Sequence, residues 1–251
     1  MSGLNESYGM LRSILMYYGL PFRTRRLLSF YAQFIRPGDL CFDIGAHIGS
    51  RLRIWSRLGA QIVAVEPQPL PMCFLERWYG RRPGISLLET AVGAERGEAT
   101  LLVSRRTPTV TSLSPEWIAA VRRARSFARV SWDGAIQVPV TTLDELIDQF
   151  GEPAFCKIDV EGSELQVLNG LSRPLDCLSF EYIPSAACLA AKCISRLEGL
   201  GKYEYNYTIG EPVRLRRKGW VAGEVVSAWL KTLTPDLPSG DIYARLISRG
   251  S

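Results

Sequence analysis

The sequence contains few of the residues from which metal and redox sites are usually built. It has one histidine, His47, and six cysteines in 251 residues, and the cysteines show neither metal-ligand spacing nor a Cys-x-x-Cys pair. Cys41 and Cys156 fall in predicted buried strands, where cysteine behaves as a small apolar residue. With no convincing signal peptide, this composition predicts reduced thiols and a cytoplasmic location.

Long apolar runs and a strong excess of one charge are also lacking. No segment approaches the ~20 apolar residues that cross a bilayer, so no integral membrane segment is predicted. The formal charge of +5 is mild, whereas a nucleic-acid-binding protein should carry a denser basic stripe. The length of 251 residues with 47% hydrophobic content fits one large α/β domain, and nothing indicates an oligomeric state.

The order of predicted elements indicates a helical lead over residues 1–36 and one large domain over 37–251. In the lead, Leu11, Ile14, Leu15 and Tyr18 have the spacing of one helical face. Apolar strands are predicted at 40–44, 61–65, 85–89, 155–158 and 178–181, with helices at 50–58, 71–78 and 163–168 between some of them. Because these strands are apolar throughout, both faces should be buried, which predicts a doubly wound, mainly parallel sheet.

Two further pairs of strands depart from that pattern. An insertion at about 94–144 contains predicted strands at 99–103 and 136–140, which flank a polar loop and a helix rich in arginine (Arg122, Arg123, Arg125, Arg129). Long excursions of this kind are typical of lids and substrate-binding segments. Its arginines, with Arg105 and Arg106, fit a solvated face better than a contact with an anionic acceptor. Alternating runs at 203–207 and 241–246 predict an antiparallel edge pair.

The first strand runs into a turn that is typical of nucleotide-binding proteins. Asp43 precedes a turn at Gly45, a helix follows Gly49, and the second strand ends in an acid, Glu66. A dinucleotide fingerprint would need glycine at positions 47 and 50, because the pyrophosphate approaches a bare backbone there. The chain has His47 and Ser50 instead, which argues against a nicotinamide dinucleotide.

S-adenosylmethionine fits Asp43, Gly45 and Glu66 better than a nicotinamide dinucleotide does. Asp43 can hold its α-ammonium group, the Gly45 turn lets the main chain approach the methionine moiety, and Glu66 can accept both ribose hydroxyls. Gly45 and Gly49 alone would also fit a structural turn with close helix packing. His47 fits a backbone-bonded loop residue, with cofactor contact and proton transfer as the alternatives.

A second group of acids follows the later strands. Asp159 and Glu161 come after the strand at 155–158, and strand alternation predicts that they point to one side. Glu181 ends the next strand. Three carboxylates at one sheet edge need a cation, a hydrogen-bond donor or a shared proton, so a bridging divalent ion is an alternative to a metal-free site. Glu164 fits the N-terminal charge of a helix.

Four segments together resemble the FkbM-type methyltransferases. They are Pro37 to Gly49, Val65-Glu66-Pro67, Thr142 to Leu146, and the string Lys157-Ile158-Asp159-Val160-Glu161-Gly162 with its continuation to Gly170. The resemblance covers about residues 37–183 and departs at His47, where the family usually has asparagine. It implies a class I, Rossmann-like fold and S-adenosylmethionine-dependent methylation of hydroxyl groups, often of sugars or secondary metabolites. The predicted cofactor-binding residues are Asp43, Gly45, Ala46, His47, Gly49, Glu66, Pro67, Ala91, Val92 and Asp159.

A base within hydrogen-bond reach should help the predicted reaction, since a sugar or alkyl hydroxyl is a poor nucleophile. Asp159 is the first candidate and Glu161 the second, with Glu181 orienting the saccharide or small-molecule acceptor. A non-catalytic cofactor-binding scaffold is the main alternative. A nicotinamide-dependent oxidoreductase is disfavoured, because the glycine spacing is wrong and no Tyr-x-x-x-Lys pair follows.

Overall fold

The computed structural model describes residues 21–211 and 214–249. The predicted helical face at Leu11 to Tyr18 lies outside the described residues, and the division between lead and domain at residue 36 stays a prediction. Of the predicted lead, helix α1 (Pro21–Tyr31) is described. It packs on the rest of the fold through Phe30 and Tyr31, both almost fully buried.

Seven strands form the central sheet, in the order β3-β2-β1-β7-β8-β10-β9. The strands are β1 (Leu40–Ile44), β2 (Gln61–Val65), β3 (Ile85–Leu88), β7 (Phe155–Ile158), β8 (Cys177–Tyr182), β9 (Gly201–Tyr207) and β10 (Gly240–Arg249). The first five run parallel, and β10 is antiparallel to both of its neighbours. A dinucleotide fold has the parallel order 3-2-1-4-5-6. The antiparallel strand between β8 and β9 therefore separates this sheet from that fold.

Helices cover both faces of the sheet, as the continuous apolar strands predict. One layer contains α1, α2 (Ser50–Arg57) and α3 (Pro69–Tyr79), packed on the side of Cys41 and Phe155. The other contains α5 (Leu143–Phe150), α6 (Glu164–Asn169), α7 (Ala187–Glu198) and α8 (Gly223–Leu230), packed on the side of Phe42 and Cys156. The predicted doubly wound, mainly parallel α/β fold with an antiparallel C-terminal pair is confirmed.

The insertion forms a small sheet of its own, in the order β4-β6-β5. Its strands are β4 (Ala91–Val92), β5 (Gly97–Val103) and β6 (Gly134–Thr141), with helix α4 (Pro115–Val121) between the last two. The predicted pairing is confirmed, because Ala99 lies opposite Val138 in an antiparallel register. The predicted arginine-rich helix is wrong. Helix α4 ends at Val121, and the arginines follow it with exposed side chains at 122, 123, 125 and 129.

Candidate active site

A cleft opens at the carboxyl edge of the parallel strands, where the strand order reverses between β1 and β7. Its empty space is about 940 Å³ including the open mouth. This topological switch point is where open α/β sheets bind their ligands. The lining includes most of the predicted residues, namely Asp43, Gly45, Ala46, His47, Glu66, Pro67, Ala91, Val92, Asp159 and Glu161.

Two predicted residues lie outside that lining. Gly49 is absent from the cleft wall. A Cβ atom there would come within 2.8 Å of Leu75 and 3.0 Å of Tyr79, so this glycine allows helix α3 to pack against the loop. Glu181 lines a separate small hollow with Trp117 and Glu164. The structure therefore supports the packing interpretation of Gly49 and does not place Glu181 in the wall of this cleft.

The first turn of the cleft is built on Asp43 and Gly45. Gly45 has a φ of +86°, and a Cβ atom there would stand 1.9 Å from the backbone oxygen of Asp159. Glycine is thus required because the loop after β1 touches the end of β7. Asp43 is 2% exposed, and its Oδ2 atom is buried with no hydrogen-bond partner. Burial raises the pKa of Asp43 to about 7, although Lys157 and Arg51 oppose the shift.

The acid at the end of β2 holds the same loop from the other side. Glu66 accepts hydrogen bonds from the backbone N–H groups of His47 and Gln68, each at 2.8 Å, through different oxygens. Each carboxylate oxygen retains a further lone pair. Burial raises the pKa of Glu66 to about 7 against these two bonds. The carboxylate is thus oriented by the backbone and able to accept hydroxyl donors.

His47 enters the cleft from the middle of the loop. Its backbone has a φ of +48°, and its Nε2 atom is buried with no hydrogen-bond partner. Burial lowers the pKa of His47 to about 4, so the imidazole is neutral near pH 7. Nε2 makes no hydrogen bond to the backbone, and cofactor contact and proton transfer by His47 stay predictions.

The acids after β7 are brought together differently from the prediction. Strand β7 ends at Ile158, and Glu161 has a φ of +53°, so strand alternation does not place it. Ser112 of the insertion donates a hydrogen bond to the Glu161 backbone oxygen at 2.6 Å. One potential ligand atom from each of Asp159, Glu161 and Glu181 lies within 4.8 Å of the others. The acid group exists, but a strained loop and the insertion assemble it.

A buried lysine sets the charge state of Asp159. The Lys157 ammonium lies 3.0 Å from Asp159 Oδ2 and 2.9 Å from Asp241 Oδ1, with its side chain only 2% exposed. Burial disfavours the Asp159 carboxylate, but the charge and hydrogen bond of Lys157, together with the charges of Arg51 and His47, lower the pKa of Asp159. The sequence interpretation gave Lys157 no role. A charged residue inside the otherwise apolar strand Phe155–Ile158 was the available signal, because such a residue needs a buried partner.

The neighbouring glutamates behave in the opposite way. Burial, reinforced by the negative charges of Asp159 and Glu164, raises the pKa of Glu161 well above its usual value. Burial and the charges of Glu161 and Asp159 do the same for Glu181. Glu164 accepts backbone hydrogen bonds from Val160 and Gly162 at 3.2 Å, as expected at a helix start. The acid group therefore combines one stable carboxylate with two carboxyl groups that tend to retain protons.

Comparison with known proteins identifies the family. The family model for the methyltransferase FkbM domain matches residues 43–182, more than half of the chain and both halves of the cleft. The chain belongs to the FkbM methyltransferase family.

A curated relative and several solved structures are also similar to this FkbM-family chain. The hexuronic acid methyltransferase AglP of Haloferax volcanii is 28% identical over 173 residues, which is 68% of this chain and 65% of that protein. A TehB-like S-adenosylmethionine-dependent methyltransferase from Corynebacterium glutamicum has a TM-score of 0.46 at 10% identity, with 97% and 98% coverage of the two chains. Fibrillarin from Aeropyrum pernix, solved with bound S-adenosylmethionine, has a TM-score of 0.46 at 12% identity, with 88% and 75% coverage.

Proposed function

We propose that this FkbM-family protein is an S-adenosylmethionine-dependent O-methyltransferase that methylates a hydroxyl group of a saccharide or small-molecule metabolite. The observation that carries the proposal is that Asp43, Glu66 and the acids Asp159 and Glu161 all line one cleft. A cofactor half and a group able to manage a proton are thus adjacent. The hexuronic acid methyltransferase AglP of Haloferax volcanii supports a saccharide as the acceptor.

The residues of the cleft fit the cofactor. Asp43 offers a buried carboxylate oxygen without a partner, which suits an ammonium group. Glu66, already fixed by two backbone donors, suits the ribose hydroxyls. The apolar part of the lining, with Ala91, Val92 and Leu101, suits a flat heterocycle. When bound, S-adenosylmethionine supplies a methyl group activated by its sulfonium sulfur.

Within the acid group, we propose Glu161 as the base that takes the proton of the acceptor hydroxyl. Base strength follows pKa, and Lys157 lowers the pKa of Asp159, whereas that of Glu161 is raised. One ionised carboxyl in the Glu161–Glu181 pair suffices, because the neighbour then keeps its proton. Asp159 holds Lys157 and orients the loop. Asp159, which the sequence favours as the base, becomes the second candidate.

A ligand-binding experiment tests the cofactor. S-adenosylhomocysteine should raise the melting temperature of the protein, because a ligand that binds only the folded state stabilises it. NAD should not. A shift with NAD alone would contradict the proposal.

Repeating the transfer assay after removal of divalent ions tests the alternative of a bridging ion. Activity should persist, because Lys157 already supplies a positive charge at the acid group.

The position of the methyl group tests the chemistry. An acidic sugar offers both hydroxyl and carboxylate oxygens, but Glu161 and its neighbours repel a second carboxylate and can deprotonate a hydroxyl. The product from a uronic acid glycoside should therefore be a methyl ether that survives alkali. A product that loses its methyl group in alkali is an ester and would overturn the hydroxyl assignment. Cofactor binding without transfer to any saccharide would favour the non-catalytic alternative.

A further inference from the structure

Arg51 places a positive charge in the cleft, in addition to the residues proposed to bind the cofactor and the acceptor. It lies in the first turn of helix α2, lines the cleft and is 9% exposed. Its Nε and Nη1 atoms are buried with no hydrogen-bond partner. Burying a guanidinium without hydrogen-bond acceptors is costly, because all of its polar atoms are donors. An acceptor group supplied by a ligand would remove that cost.

The groups around Arg51 do not supply that acceptor. Among the described residues, Arg51 has one ion-pair contact, from Nη1 to Glu211 Oε2 at 4.0 Å, and the Glu211 side chain is 43% exposed. The guanidinium carbon lies 5.7 Å from the centroid of the Tyr31 ring, which is a cation–π contact and not a hydrogen bond. Lys157 engages both Asp159 and Asp241. The first turn of α2 contains no acidic residue and no side-chain cap.

Asp43 is the complement of Arg51 in the same cleft. Its Oδ2 atom is a buried acceptor without a donor, and the Nε and Nη1 atoms of Arg51 are buried donors without a hydrogen-bond acceptor. The two side chains flank one loop, since Asp43 is the penultimate residue of β1 and Arg51 the second residue of α2. They form no ion pair within 4.0 Å among the salt bridges of the described residues. A ligand with adjacent cationic and anionic groups would satisfy both.

We propose that Arg51 and Asp43 together bind an α-amino acid group, with Arg51 taking the carboxylate and Asp43 the ammonium. The inference rests on the proposed function and identifies that group as the methionine end of the cofactor. Arg51 is then a cofactor-binding residue, and its guanidinium fork suits a carboxylate in two parallel hydrogen bonds. The carboxylate of an acidic acceptor has the same chemistry and is the competing source.

Calorimetric titration with two ligands tests the assignment. The ligands are S-adenosylhomocysteine and its decarboxylated analogue, which lacks only the carboxylate. A hydrogen bond to a charged group contributes about 1.5–3 kcal/mol, so wild-type protein should bind the complete ligand roughly 10- to 150-fold more tightly. Arg51→Gln should lose that preference while its affinity for the decarboxylated analogue stays within twofold. Arg57→Gln, an exposed site in the same helix, is the matched control and should keep the preference.

Several results would overturn the Arg51 assignment. One is equal affinity of the wild type for both ligands, which needs no variant and cannot be blamed on misfolding. Another is an Arg51→Gln variant that weakens both ligands equally. A third is an Arg51→Gln variant whose affinity for S-adenosylhomocysteine is unchanged, whose KM for a uronic acid glycoside is raised, and whose KM for the neutral glycoside is not. That result would assign Arg51 to binding of the acceptor. If the wild type binds neither ligand, the proposed function itself fails.

Discussion

At the scale of single residues, the acid group divides its roles according to which carboxylate touches Lys157. Asp159 makes that contact at 3.0 Å, and Glu161 does not. We therefore expect Glu161→Gln to lower kcat by roughly 10²- to 10⁴-fold, the usual contribution of a general base. Affinity for S-adenosylhomocysteine should change little. Glu116→Gln, an exposed site in the insertion, should leave both quantities unchanged.

Comparing variants of Asp159 and Glu161 shows which of the two acids acts as the base. Asp159→Asn leaves Lys157 with Asp241 as its one close acid, so stability should fall while part of the transfer activity remains. If instead Asp159→Asn folds normally but does not transfer the methyl group, and Glu161→Gln remains active, then Asp159 is the base, as the sequence predicts. Single-turnover rates and melting temperatures of both variants decide between the two.

Residue identities predicted the cleft wall formed by Asp43, His47 and Glu66 better than the arrangement of the acids after β7. Asp43, His47 and Glu66 sit within one βα unit and its next strand, so local spacing was informative. Lys157 carries a charge whose partner is remote in sequence. Asp241 lies 84 residues from Lys157, and no local pattern indicates that contact. Burial and unpaired donors become visible only once the chain is folded.

At the scale of elements, the acid loop between β7 and α6 depends on the insertion. Gly162 has a φ of +96°, and a Cβ atom there would stand 2.1 Å from Trp117 of helix α4. Together with the Ser112 hydrogen bond to Glu161, this contact makes the insertion a support for the acids. Among the described residues, His47 and Glu161 alone have a positive φ without being glycine, and both line the cleft. Strain of this kind persists only where the surroundings enforce it.

Gly162→Ala should therefore damage both stability and transfer. A side chain at this φ and against Trp117 costs roughly 1–3 kcal/mol for each effect, which lowers the melting temperature by about 2–4 °C per kcal/mol in a chain of this size. Gly97→Ala, in β5 with nothing within 4 Å of the added carbon, is the control. Equal melting temperatures for the two variants would show that the loop is not braced by α4.

Element bounds were predictable where an apolar run decides them. The strands at 40–44, 61–65 and 155–158 match β1, β2 and β7 residue for residue, because each mostly apolar run is followed directly by a turn glycine or an acid (Gly45, Glu66 and Asp159). The arginine-rich helix was wrong for the converse reason. Helix α4 buries Trp117, Ile118 and Val121, and the arginines beyond it offer no apolar face that would extend the helix.

At the scale of the whole molecule, the cleft brings together residues from β1, β2, the insertion and β7, which span much of the chain. The strand order of the doubly wound sheet brings these residues together, because it places the carboxyl ends of β1, β2 and β7 side by side. Among the described residues no helix is long and apolar enough to cross a membrane. The insertion supplies Leu101, Pro108 and Leu113 to the cleft wall. Its role in binding an acceptor stays a prediction.

Collecting buried acids around an open cleft gives the ligand-free protein an unusual dependence on pH. Burial raises the pKa of Asp43, Glu66 and Glu164 to about 7 from values near 4. Between these limits the folded state holds protons that the unfolded chain has released, so stability falls as pH rises, by up to about 1.4 kcal/mol per pH unit for each group. Asp159 and Lys157 are shifted away from this range. His47, whose pKa burial lowers to about 4 from 6.5, opposes the trend below about pH 6.5. The three acids outnumber it, and Glu161 and Glu181, whose pKa values burial raises well above the usual value, reinforce the fall.

The melting temperature of the ligand-free protein should therefore decrease from pH 5 to pH 8. S-adenosylhomocysteine should flatten the decrease, because its ammonium and hydroxyl donors favour the ionised forms of Asp43 and Glu66. Asp43→Asn removes one of the titrating groups, so the slope of the ligand-free variant should be smaller and its response to ligand weaker. A melting temperature that rises over this range in the wild type would mean that these carboxyl groups are ionised in the folded protein. The cleft would then contain compensating charges other than Lys157 and Arg51.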